Sequence, residues 1–132
     1  MKYLLDTHIL IWAILSPDKL SKKVQDVLMN PEHAILISSV SLWEISLKYA
    51  SGKLQLKNIL PEEFIKNLKN TGFTCIELSA ENATTFYLLS GDHHKDPFDR
   101  MLIWQALQNN YLFISDDKEV KKYIAEGLKV IS

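Results

Sequence analysis

Residues 2–15 read Lys2-Tyr3-Leu4-Leu5-Asp6-Thr7-His8-Ile9-Leu10-Ile11-Trp12-Ala13-Ile14-Leu15. The first four form a short apolar run suited to a buried parallel strand. Asp6 interrupts it, and Thr7–Leu15 then reads as a helix closed by Ser16-Pro17. That helix is apolar almost all round, so it is expected to lie centrally or beneath a second subunit.

The rest of the chain repeats this strand-then-helix order. Leu20, Val24, Val27 and Leu28 make a helical stripe ended by Asn30-Pro31, and Ala34–Ile37 is the second strand. Leu42, Ile45 and Tyr49 mark a helix that stops near Gly52. Pro61-Glu62-Glu63 opens another, with Gly72 past its end. Phe73–Glu77 is the third strand, followed by a helix from about Glu81 to Ser90. Asp96-Pro97 opens the longest clear helix, to about Gln108. Tyr111–Ile114, Lys118–Ala125 and Leu128–Ile131 complete the order as strand, helix and strand. Alternation of this kind predicts an α/β fold of three layers, α/β/α, around a mostly parallel sheet of about five strands. The polar stretch Ser51–Asn58 is expected to be the most mobile loop.

The 132 residues suit one domain spanning 1–132, and roughly 65–70% of the unfolded surface of such a chain is buried on folding. Fifteen Lys and Arg against sixteen Asp and Glu give a formal charge of -1, so any surface for nucleic acid has to be local. Cys75 is the sole cysteine, which excludes an intrachain disulfide and a Cys-based zinc site. Its apolar neighbours predict a buried, inert thiol, and a reducing, cytoplasmic setting follows. Asp6 and His8 interrupt the N-terminal apolar stretch, which is far short of the ~20 residues that span a bilayer. Neither export nor membrane insertion is expected.

In a parallel sheet every strand end, and every start of a returning helix, lies at one edge, where sites of open α/β folds gather. Asp6 ends strand one, and Glu44 falls in what reads as the first turn of the helix after strand two. Asp96 and Asp99 open the helix leading into strand four, and Asp116-Asp117 follow that strand. Helix capping accounts for each acid singly: Asp96 before Pro97 is a good N-cap, and Ser41-x-x-Glu44 has the capping-box pattern. A cap needs only an oxygen, however, and each of these turns carries an ionisable acid. Clustered carboxylates repel one another unless protons or a cation neutralise them. An all-oxygen set suits Mg²⁺ or Mn²⁺ better than zinc and points to phosphoryl chemistry.

Four segments in order carry a likeness: Leu4-Leu5-Asp6-Thr7-His8, Ser41-Leu42-Trp43-Glu44-Ile45, His94 through Ile103 with its Asp96-Pro97-Phe98-Asp99-Arg100 block, and Ile114-Ser115-Asp116-Asp117. From Lys2 to about Ile131 the chain resembles PIN-domain proteins of the VapC-type toxin group. The resemblance implies Mg²⁺- or Mn²⁺-dependent cleavage of RNA and inhibition by a cognate antitoxin. By motif position it makes Asp6, Glu44, Asp99 and Asp117 an acidic quartet, with Asp6 and Asp99 as main ligands. Asp96 would support or replace one of them, and Asp116 competes with Asp117 for the fourth place. Thr7 and Ser115 are candidate hydroxyls behind the ligands. A homodimer is compatible with the apolar first helix.

Arg100, Lys95 and Lys118 flank the acids and could hold RNA phosphates, with Lys48, Lys53 and Lys57 as weaker candidates. His8, His93 and His94 could do acid–base work. Trp12, Trp43 and Trp104 are expected in the core. Two rivals stand beside the metal reading: a metal-independent, histidine-based ribonuclease working through a cyclic phosphate, and a non-catalytic binding module whose acids merely cap helices. A phosphoacceptor domain is disfavoured, because strand three leads into Glu77-Leu78-Ser79 with no Asp.

Overall fold

The computed structural model describes residues 1–91 and 96–132. Five parallel strands form one sheet: β1 (Lys2–Leu5), β2 (Ala34–Ser38), β3 (Thr74–Ile76), β4 (Leu112–Ile114) and β5 (Lys129–Ile131), in the spatial order β3-β2-β1-β4-β5. Around them lie α1 (Thr7–Leu15), α2 (Lys22–Met29), α3 (Ser39–Ala50), α4 (Glu63–Thr71), α5 (Ala80–Thr85), α6 (Pro97–Asn109) and α7 (Lys118–Lys121), with short 3₁₀ turns between some of them. The chain winds outward from β1 through β2 to β3, then crosses to β4 on the other side of β1. The sheet therefore has its switch point between β1 and β4, where a crevice opens at the carboxyl edge. Among the described residues, no helix is long and apolar enough to cross a membrane.

Strand periodicity explains the two cores. Tyr3, Leu5, Ile35, Ile37 and Ile114 point to one face and pack with Ile9, Leu10, Ile45, Phe64 and Leu68. Leu4, Leu36 and Phe113, one residue out of phase, point to the other and pack with Leu102, Ile103, Val120 and Tyr123. Both faces are covered, which is why the central strands read as unbroken apolar runs.

Element ends follow local chemistry. Gly72 closes α4 at φ 80, a left-handed conformation that suits a residue without Cβ. The helix expected over 81–90 ends at Thr85 and tightens into a 3₁₀ turn, Phe86–Leu88. Thr84 Oγ1 donates to Ala80 O and Thr85 Oγ1 to Glu81 O, back-bonds of the kind that bend a helix. The helix expected over 118–125 likewise splits at Lys121, with Lys122–Glu126 as a 3₁₀ turn closed by Gly127.

One expectation is corrected. Cys75 is exposed, because β3 is an edge strand of only three residues with little covering it; burial still raises its thiol pKa, with the Glu77 charge adding to the effect. Within the 51–58 stretch Leu56 is buried, and Lys57 Nζ donates to Ser16 Oγ (2.7 Å) and Leu15 O (3.1 Å).

One contact fixes α3 against α6. Ser38 Oγ accepts from Val40 N to cap α3 and donates to Gln105 Oε1 on α6 at 2.6 Å, all in the interior. Ser38→Ala removes the cap and orphans the glutamine oxygen, so urea unfolding should show a loss of about 2 kcal/mol. A loss below a few tenths would mean that the contact contributes nothing.

Candidate functional site

Asp6 is the residue after β1. Its N–H donates to Ile114 O (3.0 Å), which extends the β1–β4 pairing and fixes the carboxylate at the switch point. Oδ1 accepts from Thr7 N at 2.8 Å, capping α1, and Oδ2 accepts from Ser115 Oγ at 2.6 Å. The residue is only 2% exposed. Burial raises its pKa above the ordinary aspartate value; the Ser115 bond, the nearby His8 and the Thr7 N–H oppose this, and the Glu44 charge adds to it.

Glu44 reaches the same space from α3. The helix begins at Ser39 with Ser38 as its cap, so Glu44 lies in the second turn rather than the first. This overturns the capping-box reading of Ser41 and Glu44. Ser41 is buried and takes a hydrogen bond from Thr7 Oγ1 (3.0 Å), tying α1 to α3. Glu44 is 4% exposed, and its Oε2 accepts from Lys48 Nζ, one turn further along α3. Oε1 is buried with no hydrogen-bond partner among the described residues.

Asp96 and Asp99 come from the start of α6. Asp96 Oδ1 accepts from Phe98 N (2.9 Å) and Asp99 N (3.3 Å), the bonds of an N-cap, with Pro97 at the first helical position. Carboxylate oxygens of Glu44, Asp96 and Asp99 nevertheless lie within 4.8 Å of one another. Asp6, His8, Glu44, Lys48, Asp96 and Asp99 all line one cavity of about 300 Å³. Capping and convergence thus coexist, since a carboxylate capping through one oxygen still offers the other.

A PIN-domain family model matches residues 3–125. The chain belongs to the PIN-domain family. Comparison with curated proteins returns no match. Solved structures of similar fold include VapBC2 from Rickettsia felis bound to a DNA fragment from their promoter, at 20% identity, 99% of this chain, 98% of that one and a TM-score of 0.70. VapBC-1 from nontypeable Haemophilus influenzae is similar at 17% identity over 100% and 98% of the two chains, with a TM-score of 0.69. DNA-bound VapBC from Salmonella typhimurium is similar at 16% identity over 99% and 97%, also with a TM-score of 0.69. At these identities the likeness speaks for the fold.

Other expected site residues of this PIN domain fall elsewhere. Asp117 caps α7, its Oδ1 accepting from Glu119 N (2.8 Å), while its own N–H donates to Ser115 Oγ (3.1 Å). Asp116 Oδ1 meets His8 Nε2 at 2.5 Å, and His8 Nδ1 lies 3.6 Å from Asp6 Oδ2. Neither Asp116 nor Asp117 is among the residues lining the cavity. Ser115 is buried behind Asp6, where a supporting hydroxyl was expected.

Arg100 is held by partners within the protein. Its Nη1 donates to Gly91 O (2.5 Å) and to Tyr123 Oη (2.6 Å), its Nη2 to Leu89 O (3.2 Å), and the guanidinium lies over the Phe86 ring. Lys118 is exposed at the start of α7. Lys95, His93 and His94 lie outside the described residues. Trp104 is buried as expected, but Trp43 is 63% exposed and rests edge-on against Phe98, with ring centres 5.1 Å apart.

Lys48, a weaker candidate by sequence, lines the cavity beside Glu44. The four-residue spacing from Glu44 puts both on one face of α3, and that signal was available. Burial alone would lower the Lys48 pKa, but the Glu44 hydrogen bond and charge, with Asp96 and Asp99 behind them, outweigh it and raise the value.

Proposed function

We propose that the chain is a divalent-metal-dependent endoribonuclease, a single PIN domain over residues 1–132 acting as the toxin of a VapC-type toxin–antitoxin pair. The observation that carries the metal reading is Glu44 Oε1. A buried carboxylate oxygen without a partner is costly, and it belongs to a residue that shares a cavity with Asp96 and Asp99 and has a carboxylate oxygen at ligand-like spacing from theirs. An all-carboxylate donor set fits Mg²⁺ or Mn²⁺. Glu44, Asp96 and Asp99 would hold the ion directly, with Asp6 as the fourth acid of the cavity. The backbone N–H of Asp117 supports Ser115 while its carboxylate caps α7, and Asp116 would act through His8.

When bound, Mg²⁺ or Mn²⁺ supplies Lewis acidity, offsetting phosphate charge and activating water. The chain's own residues do the positioning. Ser115 and the Thr7 N–H hold Asp6 in one orientation, and the Thr7–Ser41 bond holds α1 against the helix that carries Glu44. Lys48 and Lys53 on the cavity wall offer positive charge to the phosphates of an incoming strand. The exposed apolar side chains Trp43, Leu47, Leu60 and Ile65 provide surface for protein partners, an antitoxin and a second copy of the chain. A reducing cytoplasm suits a free, exposed Cys75.

The test is incubation of purified protein with end-labelled RNA and Mg²⁺ or Mn²⁺, with and without EDTA. Cleavage that EDTA abolishes, leaving 5′-phosphate and 3′-hydroxyl ends, is the expected result. The His8–Asp116 contact beside Asp6 supports one second reading, a histidine-based ribonuclease. EDTA-resistant cleavage with 2′,3′-cyclic ends would favour it and overturn the metal reading. No cleavage under any condition would leave a binding module.

A further inference from the structure

The two oxygens of Glu44 are treated differently by their surroundings. Oε2 takes a hydrogen bond from the Lys48 ammonium, while Oε1, which is buried, takes none. Among the described residues, no other buried side-chain oxygen or nitrogen lacks a partner. An ion pair built for stability alone would satisfy both oxygens, because each one left dry and unpaired costs free energy. We propose that Lys48 is a positioning residue: by holding Glu44 Oε2 it sets the carboxylate so that Oε1 faces the acidic cavity as a ligand atom.

This inference rests on the metal-dependent reading and assigns a residue to it. Three features support it. Lys48 follows Glu44 by one turn of α3, with the glutamate N-terminal to the lysine, the more favourable order for such a pair. The glutamate side chain has several rotatable bonds, and a lysine fixed to one oxygen removes the alternatives before an ion arrives. The lysine lines the same cavity as Asp96 and Asp99, whose negative charges favour its ammonium form. Its stem is part-exposed and fills no place in either core, so replacing it costs no core packing, and the melting curves report the separate cost of leaving Glu44 without its partner.

A tethered counter-ion competing with the metal would act in the opposite direction. Removing such a competitor tightens metal binding; removing a positioning contact weakens it. The sign decides between them.

The experiment is calorimetric titration of Mn²⁺ into the purified chain and into Lys48→Met, Lys48→Arg, Glu44→Gln and the Glu44→Gln/Lys48→Met double variant, with melting curves of each. Lys48→Met should weaken Mn²⁺ binding about tenfold, equivalent to ~1.4 kcal/mol. Lys48→Arg, which keeps a charged donor within reach of Oε2, should recover most of that loss. In the Glu44→Gln background Lys48→Met should add nothing, because the residue acts through Glu44. The proposal is overturned if Lys48→Met lowers the melting temperature without changing Mn²⁺ affinity, if it tightens binding, or if its loss adds in full to that of Glu44→Gln. A wild-type chain that binds no Mn²⁺ would overturn this inference and the proposed function together. Wild-type binding that Lys48→Met leaves unchanged would remove only the role of Lys48.

Discussion

Asp96→Asn should fold as the wild type does and cleave RNA far more slowly. Asparagine caps a helix about as well as aspartate, so the bonds to Phe98 N and Asp99 N survive and α6 keeps its start. What disappears is one negative charge among three carboxylates whose oxygens lie within 4.8 Å. Glu44→Gln removes the charge of the buried member in the same way. We expect each change to lower metal-dependent cleavage by roughly 10³-fold, about 4 kcal/mol of transition-state stabilisation at 1.36 kcal/mol per decade. Melting temperatures should move by only a few degrees. If these acids serve solely as helix caps, Asp96→Asn leaves the cleavage rate unchanged, and that result would sink the assignment. Single-turnover rates beside melting curves separate the two cases.

Asp6→Asn should make the metal-free protein more stable at neutral pH while abolishing cleavage. Burial raises the folded-state pKa of Asp6 despite its bonds from Ser115 and Thr7 and the proximity of His8, and the Glu44 charge works in the same direction as burial. The folded chain therefore holds its proton to higher pH than the unfolded chain, whose aspartate ionises near 3.8. Wild-type stability accordingly falls as pH rises from that value through the raised pKa, and levels off above it. Asparagine has no proton to lose, so the variant escapes the decline. In EDTA the variant should melt at a higher temperature than the wild type at neutral pH, and the gap should close on acidification. Thermal melts from acid to neutral pH measure it directly. A variant that is less stable than the wild type at neutral pH would show that the Ser115 and Thr7 bonds outweigh burial.

Much of the architecture was legible because the sheet is covered on both faces. Strands such as Tyr3-Leu4-Leu5 then have to be apolar throughout, and the helices between them show their own punctuation at Asp6, Pro97 and Gly72. Edges were harder to read. Phe73–Glu77 looked like a full strand with a buried cysteine, yet only Thr74–Ile76 pairs, and Cys75 is exposed at the rim of the sheet. Length of pairing depends on what covers an edge, which local composition does not encode.

The site was legible in part for the same reason. Parallel winding brings strand ends and returning helix starts together, so Asp6, Glu44, Asp96 and Asp99 could be expected at one edge. The individual partners were less visible. Ser41 and Glu44 matched a capping box, but Ser38 starts α3, and which of two nearby serines caps depends on where β2 releases the chain. Arg100 stands beside an acid in sequence, yet Gly91 O, Leu89 O and the Tyr123 hydroxyl are its hydrogen-bond partners. Trp43 had the neighbours of a core residue, but Glu44 and Ile45 take the inward directions of α3 at that level and leave the indole outside.

The central claim is that Glu44, Asp96 and Asp99 hold one divalent cation. An anomalous difference map from a crystal of the protein soaked in Mn²⁺ tests it most directly. The expected result is a peak bonded to Glu44 Oε1 at about 2.0–2.5 Å and shared with Asp96 and Asp99. A map with no peak in that cavity, or with Mn²⁺ held only at surface acids elsewhere, would contradict it.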